Sequence, residues 1–267
     1  MKRALCVGIN DYPLADMDLK GCVNDAHDWS KLLVDHYDFA KGDVTLMLNG
    51  DATKVNIQQG IKSLLAGAKT GDVLVFQNSS HGTYVADTNG DEKLYDEAMC
   101  PWDTKDHVIV DDELRELFGN VGSGVHLYVV SDSCFSGTLT RSLVSALPTP
   151  DDRRARFLSP DKIGLRAIDT IHAAPRSADK AKFPESKMKD LLLSGCNDRQ
   201  YSYDANLGGR YNGAMTHFAL KVIKRHKYKL TARTMNEELV SELDEAQYNQ
   251  TPQLEGSDKN KDRLLFT

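Results

Sequence analysis

The sequence predicts an α/β fold: a three-layer sandwich with a mainly parallel central sheet flanked by helices. Short apolar segments alternate along the chain with longer segments whose apolar residues recur at helical spacing. Two of the short segments, residues 72–77 and 125–130, are almost entirely apolar, as expected of strands buried on both faces of a sheet. Strands that are separated by helices usually lie parallel in one sheet, with helices covering both of its faces.

Five strands and five helices are predicted. The strands cover residues 4–9, 43–48, 72–77, 125–130 and 191–193, and the first two end at turn-forming clusters. The helices cover residues 19–37, 53–68, 111–118, 214–226 and 234–248. Thr53 is expected to cap the second helix, because its hydroxyl can accept from a backbone N–H in the first turn.

Composition narrows the function classes. The chain has 267 residues, of which 40% are hydrophobic and 27% charged, which is typical of one soluble domain. Its net charge of −6 argues against a nucleic-acid-binding protein, and no apolar run is long enough to span a membrane. Five widely spaced cysteines without a CxxC pair indicate free thiols in a reducing compartment, so a cytoplasmic protein is expected.

Two of the predicted strands run into residues with catalytic potential. The third strand leads to Ser79-Ser80-His81-Gly82, and the fourth leads to Asp132-Ser133-Cys134. Ligands of open parallel sheets bind beyond the carboxyl ends of the strands, so a histidine and a cysteine are expected to meet at this edge. Taken singly, a cysteine is more often a buried core thiol and a histidine a satisfied polar group. Their joint occurrence at two strand ends favours a catalytic pair.

The chemistry of this pair is that of a thiol hydrolase. A free thiol has a pKa of about 8.5, so a neighbouring imidazole is needed to take its proton and later to protonate the leaving amine. The backbone N–H groups of Gly82 and Cys134 are candidates for binding the developing oxyanion. Cys134 follows His81 by 53 residues, close to the separation of about 50 residues in caspases, although the local letters differ.

These two motifs resemble the catalytic motifs of metacaspases, members of the caspase-like cysteine peptidases of clan CD, family C14. The resemblance extends to residues 4–12, 19–26, 109–117, 194–200, 211–220 and 251–253, and therefore to nearly the whole chain except residues 147–189. The short chain is similar to the compact prokaryotic members, the orthocaspases. The resemblance implies a caspase-like three-layer sandwich, with His81 as general base and acid, Cys134 as nucleophile and Gly82 in the oxyanion hole.

The resemblance also implies cleavage after Arg or Lys. The residues that match the basic-residue pocket of metacaspases are Cys22, Asp25, Ser79 and Asp132. Caspases that cleave after aspartate have a glutamine two residues before the cysteine, where this chain has Asp132. A carboxylate in the pocket selects a cationic side chain, and arginine can meet it with two parallel hydrogen bonds.

Calcium dependence is where the chain departs from many metacaspases. Asp96, Asp111 and Asp112 match part of their calcium cluster, but Arg141 stands where a further acid is expected. A cation there opposes a site that needs several oxygen ligands. The expectation is that no cofactor is required and that Ca²⁺ remains an option to be tested.

Residues 147–189 are charged, rich in proline and without periodicity, and they are predicted to form an exposed loop or linker. This loop would divide a single domain into two parts. Residues 1–146 would carry the catalytic pair, and residues 190–267 would form the carboxy-terminal part. An insertion without a role and a processing segment are both open for this loop. Because the expected enzyme cuts after arginine, it could process its own chain after Arg153, Arg154 or Arg156. An activating protease could also make this cut.

The predicted function is a cysteine endopeptidase that cleaves proteins or peptides after Arg or Lys, and the expected state is a monomer without nucleic-acid or membrane partners. The alternative is a catalytically latent or inactive caspase-like module that acts by binding other proteins. The intact pair His81 and Cys134 argues against that alternative. A nucleotide-binding signalling domain on a similar sheet is disfavoured because no phosphate-binding loop follows a strand.

Overall fold

A computed structural model describes residues 1–86, 95–105, 107–134, 153–165, 188–197 and 200–267 of the chain. In these residues the strands are β1 (Lys2–Gly8), β2 (Val44–Leu48), β3 (Val73–Ser79), β4 (Gly82–Ala86), β5 (Tyr95–Met99), β6 (Ile109–Val110), β7 (His126–Asp132), β8 (Arg153–Ala155), β9 (Asp190–Ser194), β10 (Tyr203–Leu207), β11 (Arg210–Gly213) and β12 (Gln253–Glu255). The helices are α1 (Cys22–His36), α2 (Lys54–Leu65), α3 (Asp111–Gly119), α4 (Ala214–Arg225), α5 (Ala232–Glu245) and α6 (Asp258–Lys261).

Six strands form the central sheet in the order β12-β9-β7-β3-β1-β2. All neighbours in this sheet are parallel except β12, which lies antiparallel to β9. The five predicted strands are all present in it, within a few residues of their predicted ends. The predicted fold class, a mainly parallel sheet flanked by helices, is therefore confirmed.

Helices cover both faces of this sheet because its strands are apolar on both sides. Along β1, Ala4 and Cys6 belong to the core cluster that contains buried residues of α1, α4 and α5, whereas Leu5 and Val7 belong to the cluster that contains buried residues of α2 and α3. The alternation follows from the two-residue repeat of a strand, which sends successive side chains to opposite faces. Thr53 caps α2 as predicted, with its side chain accepting a hydrogen bond from the backbone of Asn56 at 3.3 Å.

Two small sheets lie outside the central one. The first has the order β4-β5-β6, and the second has the order β11-β10-β8. The strand β8 and the residues that follow it belong to the segment predicted to be an exposed loop, and here the structure differs from the prediction. Arg156, Leu158 and Ile163 are buried, because residues 153–158 pair with β10 and with Gly82 instead of extending into solvent.

No helix in the described residues is long and apolar enough to cross a membrane.

Candidate active site

The ends of β3 and β7 bring the predicted catalytic pair to one edge of the sheet. The two strands pair in parallel, and their last pair joins Ser79 to Asp132. His81 and Cys134 each follow two residues later, so they occupy equivalent positions after two neighbouring strands. Both side chains are buried. The register of the sheet therefore accounts for a proximity that the chain separation of 53 residues does not reveal.

Hydrogen bonding orients the His81 ring. Its Nε2 lies 2.7 Å from the backbone oxygen of Met17, so this nitrogen carries the proton and donates it. The Nδ1 atom is buried and makes no hydrogen bond to the described residues. Burial lowers the pKa of His81 to about 3, which keeps the imidazole neutral at physiological pH. A neutral ring with its Nδ1 lone pair available is the form that a general base requires.

The thiol of Cys134 contacts the backbone of Ser202. Its Sγ donates to the Ser202 carbonyl at 3.3 Å and accepts from the Ser202 N–H. Among the described residues no hydrogen bond joins Sγ to His81, so the structure brings these residues to one edge without pairing their side chains. Apo sites often have such loose geometry.

A carbonyl group of the chain itself lies in the candidate oxyanion hole. The backbone oxygen of Arg156 accepts from the N–H of Gly82 at 3.0 Å and from the N–H of Cys134 at 3.3 Å. Position 82 requires glycine, because a Cβ there would lie 1.9 Å from the Cys134 carbonyl oxygen. Two backbone donors that converge on one carbonyl oxygen form the arrangement that stabilises a tetrahedral oxyanion.

The side chain of the same arginine fills an acidic pocket. The Nη2 of Arg156 lies 2.7 Å from a carboxylate oxygen of Asp25 and 3.1 Å from one of Asp204, and Nη1 donates to the backbone oxygen of Asp132 at 3.0 Å. The Asp132 carboxylate is 3.4 Å from Nη1. The guanidinium and the three carboxylates are essentially excluded from solvent. The pocket therefore offers three carboxylates to one cation.

The carboxylates are held in place by further hydrogen bonds. Asp25 accepts from the Asn212 side chain at 2.9 Å and from the Gly213 N–H at 3.0 Å, while Asp132 accepts from the backbone and hydroxyl of Thr216 at 2.9 and 2.8 Å. Burial raises the pKa of Asp25 to about 6 despite the opposing attraction of Arg156. Burial alone would lower the pKa of Arg156, but its surrounding anionic groups raise it well above the usual value.

Strand pairing aligns the arginine with the pocket. β8 lies antiparallel to β10, with Ala155 opposite Tyr203 and Arg153 opposite Ala205, and the Arg156 N–H continues the ladder to the Ser202 carbonyl at 2.9 Å. Binding an extended segment by addition to a strand edge is a common mode of peptide recognition.

The three arginines named as processing candidates thus differ. Only Arg156 enters the acidic pocket. Arg153 lies over the ring of Tyr248, 3.8 Å from its centroid, and Arg154 is exposed and hydrogen-bonded to the Asp16 carbonyl.

The other predicted pocket residues contribute less directly. Cys22 is buried beside the cluster, and burial raises the pKa of its thiol well above the usual value. Ser79 is buried and accepts from the Gln77 side chain at 2.9 Å, and no hydrogen bond joins it to Arg156. Asp204 was missed from the sequence. The signal that could have identified it is an acidic residue placed directly between Tyr203 and Ala205 in the short segment that forms β10.

The calcium candidates do not fit a cation site in this arrangement. Asp111 and Asp112 both form ion pairs with the single guanidinium of Arg115. Asp96 is buried in β5. The described residues hold no group of three or more potential metal ligands. Arg141 lies outside the described residues.

Comparisons with known proteins show which family the chain is similar to. A family model described as "Metacaspase, peptidase C14 domain" matches residues 2–142. Metacaspase-1 of Cryptococcus neoformans var. neoformans serotype D is 30% identical over 301 residues, covering 99% of this chain and 64% of that protein. Metacaspase-7 of Arabidopsis thaliana is 43% identical over 145 residues, covering 52% of this chain and 35% of that protein. The chain thus spans 64% and 35% of the length of these two relatives.

Two solved structures are similar in fold. The crystal structure of a Geobacter sulfurreducens protein has a TM-score of 0.73 and 27% identity, with 100% of this chain and 98% of that chain covered. Caspase-1 of Spodoptera frugiperda has a TM-score of 0.58 and 13% identity, covering 96% of this chain and 86% of that chain. The second likeness indicates the caspase-like fold alone.

Proposed function

The chain belongs to the metacaspase family, and on that premise we propose that it is a cysteine endopeptidase that cleaves after arginine and first cleaves itself after Arg156. The observation that carries the proposal is the position of Arg156. Its side chain fills an acidic pocket, while its carbonyl oxygen accepts from the N–H groups of Gly82 and Cys134 at 3.0 and 3.3 Å.

The proposed reaction uses groups that surround this carbonyl. Nδ1 of His81 takes the proton of Cys134 when Sγ turns away from Ser202, and the thiolate attacks the Arg156 carbonyl carbon. The oxyanion is held by the two backbone N–H groups. The bond from Arg156 to Phe157 then breaks, its nitrogen takes the proton from His81, and a water molecule activated by His81 hydrolyses the thioester. No step requires a metal.

The pocket favours arginine over lysine. The planar guanidinium bonds Asp25 and Asp204 through one nitrogen and the Asp132 carbonyl through another, so its donors are spread over three partners. A lysine ammonium is a single point and cannot span these acceptors in the same way. A neutral or acidic side chain would leave buried carboxylates without a partner, at a cost of several kcal/mol.

The same geometry implies latency. While Arg156 occupies the pocket, β8 covers the edge of β10, and a second substrate cannot bind there. Cleavage after Arg156 would free one end of this segment. Activation by processing of the 147–189 segment is therefore part of the proposal, with Arg156 preferred over Arg153 and Arg154 because only Arg156 enters the pocket.

The test compares wild-type protein with Cys134→Ala on quenched peptides that differ only at the cleavage residue, which is Arg, Lys, Asp or Ala. Each protein is assayed with calcium and with chelator. The proposal predicts cleavage after Arg, weaker cleavage after Lys, none after Asp or Ala, and none by the variant. Equal activity with chelator is expected. Cleavage after Asp, or activity that survives Cys134→Ala, would contradict it, and a folded but inactive wild type would favour a protein-binding module.

A further inference from the structure

The residue that follows Arg156 contacts two aromatic rings. Phe157 is stacked with Tyr84, with ring centroids 6.2 Å apart and planes at 9°, and it lies against Tyr201 at 5.9 Å and 44°. Both distances lie within the range in which aromatic pairs attract each other. Phe157 is on the leaving side of the bond proposed to be cleaved, so these rings contact the part of a substrate that departs first.

The backbone fixes this placement independently of the Phe157 side chain. The N–H of Gly82 donates to the Arg156 carbonyl at 3.0 Å, and the Gly82 carbonyl accepts from the N–H of Leu158 at 2.9 Å. One residue thus holds the chain on both sides of position 157. Any substrate that puts its carbonyl in the oxyanion hole and keeps this pairing presents its next side chain at the same place.

The two tyrosines are tied closely to the catalytic groups. Tyr84 lies two residues after Gly82 in β4, and alternate residues of a strand face the same side. Tyr201 directly precedes Ser202, whose backbone bonds both the Cys134 thiol and the Arg156 N–H. The rings therefore belong to the elements that form the reaction centre.

We propose that Tyr84 and Tyr201 form the subsite for the residue after the cleaved bond, and that the enzyme prefers substrates in which an aromatic residue follows arginine. This inference rests on the proposed endopeptidase function and adds a second specificity determinant to the acidic pocket. Contacts with two aromatic rings are expected to give a gain of about tenfold or more in kcat/KM for Phe over Ala at this position.

The test uses self-processed enzyme and internally quenched peptides that share one sequence except at the two central residues: Arg-Phe, Arg-Ala, Arg-Asp and Ala-Phe. Wild type is expected to cleave Arg-Phe about tenfold faster than Arg-Ala, and not to cleave Ala-Phe. In Tyr84→Ala and Tyr201→Ala the ratio of kcat/KM for Arg-Phe to kcat/KM for Arg-Ala should shrink, and a thermal melt followed by circular dichroism reports whether each variant is folded.

Two further variants serve as controls. Tyr201→Phe keeps the ring and should keep the preference. Tyr228→Ala removes a ring that stacks on His36 and should also leave the preference unchanged. Equal cleavage of Arg-Phe and Arg-Ala by wild type, or a preference that survives both alanine variants, would overturn the subsite while the endopeptidase proposal stands. Failure to cleave any Arg peptide would overturn the endopeptidase proposal, and the subsite with it.

Discussion

Replacing Asp25 by asparagine tests the acidic pocket with the smallest change of shape. The substitution keeps an oxygen that can accept from Asn212 and Gly213, but it removes the charge facing the guanidinium and places an amide donor near Nη2, which lies 2.7 Å from the Asp25 carboxylate. Breaking one partner of a buried, hydrogen-bonded charge pair costs about 2–5 kcal/mol. A loss of about 3 kcal/mol corresponds to roughly a hundredfold decrease in kcat/KM.

The assay compares two peptides that differ only in charge, one with arginine and one with its neutral isostere citrulline before the cleaved bond. We expect Asp25→Asn to lower kcat/KM for the arginine peptide by about a hundredfold and to change the citrulline peptide little. The ratio of the two values cancels any competition from the processed β8 segment. It should be measured at pH 8, where Asp25, with its pKa raised by burial to about 6, is ionised.

Asp28→Asn is the matched control. Asp28 lies one turn further along α1 and pairs with the partly exposed Arg210 instead of Arg156. It should leave the arginine-to-citrulline ratio at the wild-type value. If the two variants lower the ratio equally, or if Asp25→Asn leaves it unchanged, the Asp25 carboxylate does not select the guanidinium.

Three further changes test the same site. As pH falls below 6, Asp25 takes up a proton, so KM for arginine peptides should rise. The value of kcat should stay constant down to pH 5, because burial lowers the pKa of His81 to about 3. If KM of Asp25→Asn rises at low pH as it does in wild type, this assignment to Asp25 is contradicted. Gly82→Ala would put a Cβ 1.9 Å from the Cys134 carbonyl oxygen and should lower kcat by roughly 10²–10³. As a control, Gly42→Ala, whose Cβ would have no atom within 4 Å, should match wild type in kcat and melting temperature. Equal kcat values for the two variants would contradict the role of Gly82 in the oxyanion hole. Arg156→Lys should slow self-cleavage at position 156 by more than about tenfold, because an ammonium group cannot bind all three acceptors. The rate is followed by intact-mass measurements over time, and an unchanged rate would argue against recognition of the guanidinium.

The fold and the catalytic edge follow from local sequence patterns. Buried strands appear as apolar runs, and the parallel register then brings His81 and Cys134 to equivalent positions. Both features can be predicted from one sequence, because they depend on short-range residue patterns and on general rules of sheet topology. The strand β12 was not predicted, because three half-buried residues give no periodicity.

The contents of the pocket depend on long-range pairing that local patterns do not encode. The charged, proline-containing sequence around Arg156 is typical of a solvated loop, and nothing local indicates that its guanidinium is buried. Three carboxylates from distant positions, Asp25, Asp132 and Asp204, compensate that charge. Tyr84 and Tyr201 likewise come together only because Gly82 and Ser202 hold the same segment.

Identifying the ends of the self-cleaved fragments tests directly whether the protein cleaves itself after Arg156. Purified protein is incubated, and intact masses and new amino termini are determined for wild type and for Cys134→Ala. We expect one early cut in wild type that gives fragments 1–156 and 157–267 with Phe157 as the new amino terminus, and no cut in the variant. A wild-type chain that stays intact, a first cut after any other residue, or the same cut in Cys134→Ala would contradict it.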